Sequence, residues 1–336
     1  MALSVLEENE NDAYFNFINS IKSESTKTLY ENNIKLFLKF CNVSDLKDLK
    51  IGAQRYITRY VMSLREMKLA SNSIKSRLNP VFHFYEMNDV SLNKKKIKMF
   101  KGEFIKKSRD RSYTHEEIKK ILDISDLRMK IVVLLMASTG CRVGALPSLK
   151  LRNLERIDSE NIYKITMYEG SNEQYYTYCT PECASFVDAY LEYRQKNGEK
   201  LHADSFLIRD QFDITDIEQI RNKSRGVSIH TFHGIVDNAL LKAGLKTTDH
   251  ISRHNRKEVM KCHGFRKFFT TQLINSKVNP EIREMLLGHK IGLASCYYRP
   301  VEQEFLDEYM KAVNNLTVNQ ENRLKMQVEK LEVEKT

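Results

Sequence analysis

Between His263 and Tyr298 the chain gathers side chains that could handle an anionic oxygen. His263 and Arg266, in "HGFR", are three positions apart and so share one helix face. Their imidazole and guanidinium can meet on a single ligand atom, for which phosphate is the natural choice, since arginine offers a permanently charged planar fork and histidine exchanges protons near neutral pH. His289 follows Gly288 in "LGH", and Tyr298 comes nine residues after His289. Far upstream, Arg142 follows the turn Thr139-Gly140 in "STGCR" and can aim into a cleft. Donors collected at a phosphate need only a nucleophile to do chemistry, and the tyrosine is one. From Arg253 to Lys290 nine basic residues face three acids, a net charge of +6 that favours a phosphate ligand.

Those residues need elements to hold them. At 336 residues the chain is long enough for two domains. Residues 13–92 read as a four-helix domain. Its apolar stripes run through Tyr14, Phe15, Phe17, Ile18 and Ile21, then Leu29, Tyr30, Ile34, Phe37 and Leu38, then Tyr56 to Leu64, then Ile74 to Tyr85. These aromatics read as core rather than as base-stacking platforms. A basic linker over 93–111 follows. From Lys94 to Arg111 nine Lys or Arg stand against two acids, a net +7 that includes Lys94, Lys95, Lys96, Lys98, Lys106 and Lys107. Such a connector lying along a duplex gains affinity by releasing counterions.

The second domain, 112–315, opens on a capping box from Thr114 to Glu117 and continues into a buried helix through Ile131–Met136. β-Rich runs at 162–168 and 174–179, joined by "EGSN", predict a hairpin. Helices are expected at 182–196 and 228–243, with a short strand at 206–208. The tail, 316–336, carries a brief stripe of Leu324, Val328 and Leu331, which suits a packing helix or a partner-docking one. The fold class is therefore mainly α with a small β-hairpin or sheet.

The formal charge of +10 points to an anionic partner, nucleic acid ahead of a membrane surface. The longest apolar run, Ile131 to Ala137, falls far short of the roughly 20 residues a spanning helix takes. No basic segment leading into an apolar core marks the first residues, so the chain is expected to stay in the cytoplasm. Six cysteines are scattered, and their only close pair, Cys179 and Cys183, lacks a second pair at zinc-site spacing; reduced thiols and no metal are expected.

The ordered set Arg142, His263, Arg266, Gly288-His289 and Tyr298 behind a helical N-terminal domain resembles the tyrosine recombinase, or integrase, signature, and "HGFRKFF" is most similar to integrases of archaea and their viruses. The resemblance spans nearly the whole chain and implies a core-binding domain followed by an α+β catalytic domain. It also implies site-specific cutting and rejoining of double-stranded DNA without metal or nucleotide cofactor, by a homo-oligomer, a tetramer on paired sites, associated with the nucleoid or with a viral host's DNA. Tyr298 would attack a backbone phosphate, form a 3′-phosphotyrosyl link and release a 5′-hydroxyl. Arg142 and Arg266 would neutralise the nonbridging oxygens, His263 would take the phenol proton or assist its removal, and His289 would hydrogen-bond the phosphate.

The chain departs from the family pattern twice. The acid usually found three positions after the first arginine is here Ala145, and the lysine of the hairpin turn, the family's general acid, is missing from "EGSN". Lys164, on the first strand of the hairpin, is the nearest replacement, though it also reads as a surface lysine. Tyr297 is a second candidate nucleophile beside Tyr298, which the spacing favours. Two further readings share the scaffold: a DNA-binding protein whose missing lysine and acid mark lost catalysis, and a type IB topoisomerase, which would relax supercoiled plasmid without a specific site.

Overall fold

The computed structural model describes residues 12–42, 46–102, 111–221, 225–245, 259–291 and 297–333, and the chain divides into two compact units, Met1–Lys107 and Ser108–Thr336. The first unit is helical: α1 (Asp12–Asn19), α2 (Glu24–Cys41), α3 (Leu46–Ile51), α4 (Ala53–Glu66), α5 (Ser71–Glu86) and α6 (Lys94–Met99). The expected stripes supply its core. Phe17, Ile34, Phe37, Ile57, Val61, Leu64, Val81 and Tyr85 are fully buried. Phe37 meets Tyr60 edge-on at 5.2 Å between centroids, the geometry that aromatic quadrupoles favour. Phe15 and Leu29 of the predicted stripes stay at the surface.

The basic stretch read as a bare linker begins inside this unit. Asn93 caps α6 by accepting a hydrogen bond from the Lys96 amide at 2.8 Å, and Ile97 is fully buried in the first unit's core. Of the helix's two apolar residues only Ile97 is buried and Met99 is exposed, so Ile97 ties Lys94 to Lys98 to the helical unit. At the other end of the stretch, Arg111 forms a two-pronged ion pair with Glu117.

In the second unit, α7 (His115–Asp123) begins with the expected capping box, both reciprocal bonds being present. Helix α8 (Leu127–Thr139) starts at Asp126, whose side chain accepts from the Met129 amide, and every residue from Ile131 to Thr139 is buried. Apolar on all sides, it forms the centre of the unit. It stops at Gly140, which takes φ +61°; a Cβ there would lie 2.3 Å from the Phe269 ring. Glycine alone meets both demands.

Two 3-10 turns (Val143–Ser148 and Leu151–Asn153) lead into an antiparallel sheet of β1 (Leu154–Ile157), β2 (Ile162–Met167) and β3 (Tyr175–Tyr178), in that order. Leu154 pairs with Ile165, and Ile165 with Thr177. The hairpin was expected and β1 was not. The strand predicted at 206–208 is reduced to one bridge between Phe206 and Lys150.

The remaining helices are α9 (Pro181–Lys196), α10 (Ile217–Arg221), α11 (Ile229–Lys242), α12 (Lys261–Asn275), α13 (Pro280–Leu286), α14 (Glu302–Leu316) and α15 (Gln320–Val333). Helix α12 packs against both α8 and α14. Its buried face, Phe265, Phe268, Phe269 and Leu273, also carries Arg266 inward.

The segment read as a tail is tied to the second unit. Thr317 and Val318 are buried, and the Val318 and Asn319 amides donate to the Glu182 carboxylate at 2.7 and 3.0 Å. Beyond that clasp Leu324 and Val328, expected as a stripe, are each 53% exposed.

Buried charge holds one further corner together. The Glu199 carboxylate accepts from Arg194 at 2.6 and 2.9 Å and from Arg209 at 2.9 Å. The spare guanidinium N–H groups donate to the carbonyls of Phe206, Leu207, Gln219 and Ile220. Both arginines are essentially inaccessible.

Candidate active site

Arg266 is the hub. Carried into the core by α12, its guanidinium donates to the Gly140 carbonyl at 2.7 Å, the Leu287 carbonyl at 2.6 Å and His289 Nε2 at 2.7 Å. Burial, and then the neighbouring Arg142 guanidinium, lower its pKa, yet an arginine keeps its charge in proteins. Three of its N–H groups donate inside the protein, and the guanidinium also borders a cleft.

His289 is placed by a tight helix end. Gly288 takes φ +65° after α13, and its absent side chain leaves room for the Tyr175 ring of β3, 2.5 Å from where a Cβ would be. The imidazole is clamped on both sides. Arginine has only donors, so Nε2 must accept from Arg266, which puts the proton on Nδ1, where it is donated to Glu284 Oε2 at 2.6 Å. That bond pulls the Glu284 pKa down. In this state His289 orients Arg266 and has no nitrogen left for a phosphate, unlike the direct contact expected of it.

Arg142 stands where two clefts meet. A smaller one of about 430 Å³ is lined by Arg142, His263 and Arg266 together with Cys141, Cys262 and His233. A larger one of about 1000 Å³ is lined by Arg142, His289, Lys290 and Tyr298, with Tyr175 and Arg299. The sequence-predicted Arg142, His263, Arg266, His289 and Tyr298 thus border two adjoining openings in one unit. Ala145, at the position of the missing acid, is fully buried within the 3-10 turn that Arg142 starts.

The phenol of Tyr298 donates to Glu304 at 2.8 Å, in the first turn of α14. Partial burial comes first in pushing its pKa up to about 12, followed by that hydrogen bond and by the charges of Glu304, Glu308 and Glu281. The nucleophile candidate is held as a neutral phenol on a carboxylate. Its neighbour Tyr297 is 90% exposed and lines neither cleft.

Lys164 lies apart from this group. Its ammonium bonds Glu302 at 2.5 Å and Glu155 at 3.3 Å, and sits 5.0 Å from the Tyr176 ring centroid. Burial works against the cation, but the hydrogen bonds to Glu302 and Glu155 raise its pKa. It lines neither cleft.

The model of the phage integrase family matches residues 111–304, a span that holds Arg142, His263, Arg266, His289 and Tyr298. The chain belongs to the phage integrase family. Among curated members it is similar to tyrosine recombinase XerA of Pyrococcus horikoshii, 25% identical over 85% of this chain and 87% of that one. It is also similar to tyrosine recombinase XerC of Leptospira interrogans, 21% identical over 91% and 94% of the two chains. Among solved integrase-family structures, a lambda integrase dimer on a core site aligns with TM-score 0.56 at 16% identity, covering 89% of this chain and 95% of that one. XerH recombinase on its difH substrate aligns with TM-score 0.54 at 13% identity, covering 84% and 76%. The two-part fold expected of an integrase is the one observed.

The integrase-type connector is only partly described. Lys94, Lys95, Lys96 and Lys98 are exposed on α6, Lys94 pairing with Glu86, whereas Lys106 and Lys107 lie outside the described residues. Burial, then the ammonium groups of Lys75 and Lys98, lower the pKa of Lys101. Replacing Lys94, Lys95, Lys96 and Lys98 by Gln is expected to weaken specific and random DNA binding alike. The slope of log affinity on log salt should fall by up to about 0.9 per lost phosphate contact. Titrations across salt concentrations check this, and an unchanged slope would make these lysines solvated helix surface.

Proposed function

We propose that the protein is an integrase-type site-specific recombinase that cuts and rejoins double-stranded DNA through a 3′-phosphotyrosyl intermediate, with Arg142, His263, Arg266, His289 and Tyr298 as its reacting set. The observation that carries this is the gathering of Arg142, His289 and Tyr298 on one cleft while Arg142, His263 and Arg266 share the next. Tyr298 Oη attacks phosphorus, its proton passes to His263, and the P–O5′ bond breaks as the P–O(Tyr) bond forms. The guanidiniums of Arg142 and Arg266 offset the charge that builds on the nonbridging oxygens. His289 keeps Arg266 in register for that task. Bond energy is conserved in the covalent link, so the released 5′-hydroxyl can reverse the step.

We further propose that it acts as a tetramer on paired sites, in the cytoplasm wherever its DNA resides; lambda integrase has been solved as a tetramer on a Holliday junction. No helix among the described residues is long and apolar enough to cross a membrane.

The test is covalent capture. Nicked duplexes of randomised sequence are incubated with the full chain, protein-linked DNA is separated under denaturing conditions, and the linked ends are sequenced. A recurring sequence joined through its 3′ end is the expected result. Capture of none would point to a DNA-binding protein without catalysis, and capture without a shared sequence to a topoisomerase.

A further inference from the structure

Expulsion of a 5′-alkoxide requires a proton, and within the recombinase reading, on which this inference rests, the donor has yet to be named. The larger cleft offers few. Arginine does not surrender its proton, which sets aside Arg142 and Arg299. The Nδ1 proton of His289 is bound to Glu284, and its Nε2 accepts from Arg266. Lys164 is held by Glu302 and Glu155, and Lys261, on the smaller cleft, is paired with Asp237.

Lys290 differs from all of these. It is exposed, it lines the same cleft as Arg142 and Tyr298, and it has no hydrogen bond or ion pair among the described residues. Its base is rigid while its stem is free. The residue before it is fixed by the two imidazole bonds and by its own amide, which donates to the Glu284 carbonyl at 2.9 Å, and Gly288 closes the helix just upstream. A flexible four-carbon chain on a fixed turn at the cleft wall suits a group that must reach a departing oxygen.

We infer that Lys290 is the acid that protonates the leaving 5′-oxygen. As the P–O(Tyr298) bond forms and the P–O5′ bond breaks, the bonding pair moves to O5′ and takes a proton from Lys290 Nζ. The products are a 5′-hydroxyl and a neutral amine. In rejoining, that amine takes the proton back as O5′ attacks the phosphotyrosine.

The experiment uses the full chain and the duplex recovered by capture, synthesised with either oxygen or sulfur at the 5′-bridging position of the scissile phosphate. A thiolate leaves without protonation. Lys290→Ala and Lys290→Arg, the latter keeping the charge, are each expected to cleave the oxygen duplex about 10²–10⁴-fold more slowly than wild type. Both should cleave the sulfur duplex at the wild-type rate. Wild-type cleavage of the oxygen duplex by Lys290→Arg overturns the assignment. So does an equal loss on both duplexes, which would mean charge or binding, and so does sulfur rescue seen in Lys164→Ala instead. Failure of the recombinase reading itself is distinct, since wild type would then be captured on neither duplex.

Discussion

Tyr298→Phe is expected to bind DNA as wild type does and to be captured on none of it. Loss of one oxygen removes the proposed nucleophile while leaving the ring, so packing against the second unit's core persists. Tyr297→Phe should be captured normally, because Tyr297 is 90% exposed and lines neither cleft. The phenol of Tyr298, pushed up to about 12 with burial as the leading cause, is almost wholly protonated at neutral pH. It must leave the Glu304 carboxylate and enter the positive field of Arg142 and Arg266 before it can react. Suicide duplexes that accumulate the 3′-linked adduct check both variants. Retention of adduct by Tyr298→Phe, or its loss in Tyr297→Phe alone, would reassign the nucleophile.

Glu199→Gln should lose about 3–5 kcal/mol of stability, the usual consequence of removing one partner from a buried ion pair. Two buried guanidiniums, Arg194 and Arg209, would be left without the carboxylate between them. Burial alone would raise the Glu199 pKa, but hydrogen bonds from both arginines bring it below the ordinary glutamate value. A depressed folded-state pKa contributes stability that is complete above the unfolded value and is lost as pH falls through the folded one. The gap between wild type and Glu199→Gln should therefore be widest near neutrality and narrow on acidification below the usual carboxylate range. Urea unfolding at a series of pH values measures it. A gap under about 1 kcal/mol, or one indifferent to pH, would show that neighbouring carbonyls alone satisfy the arginines.

The fold was legible where pattern and chemistry coincide. The Thr114–Glu117 capping box, the apolar run that became α8 and the tyrosine-rich hairpin could each be read from a few adjacent residues. Arg142, Arg266 and His289 could be singled out as candidates because their types are rare together and their spacings match the family signature. The misses have common physical roots. Strand β1, "LERI", sets two adjacent charges between leucine and isoleucine, with no period-two alternation, and is held by pairing with β2, a partner no local pattern names. Helix α6 was hidden by its lysines, since a single buried Ile97 decides where it docks. Arg194, Glu199 and Arg209 look like ordinary surface charges in sequence, and only the fold brings them inside. Glu284 and Glu304, which set the states of His289 and Tyr298, were likewise invisible, because their partners lie five and six residues away across turns whose geometry spacing does not reveal.

The three bonds of the Arg266 guanidinium have a consequence for when the enzyme becomes dangerous to its own substrate. They join a carbonyl 126 residues upstream to a helix end 21 residues downstream, so the site closes only after the central helix, α12 and the turn at Gly288 have all reached their places. Closing so long a loop costs entropy that partial structure does not return. Under the proposed mechanism, displacement of any one of these elements would leave Tyr298 without a correctly placed Arg266. The proposed strand-breaking chemistry thus depends on three separate elements of the unit being in place at once.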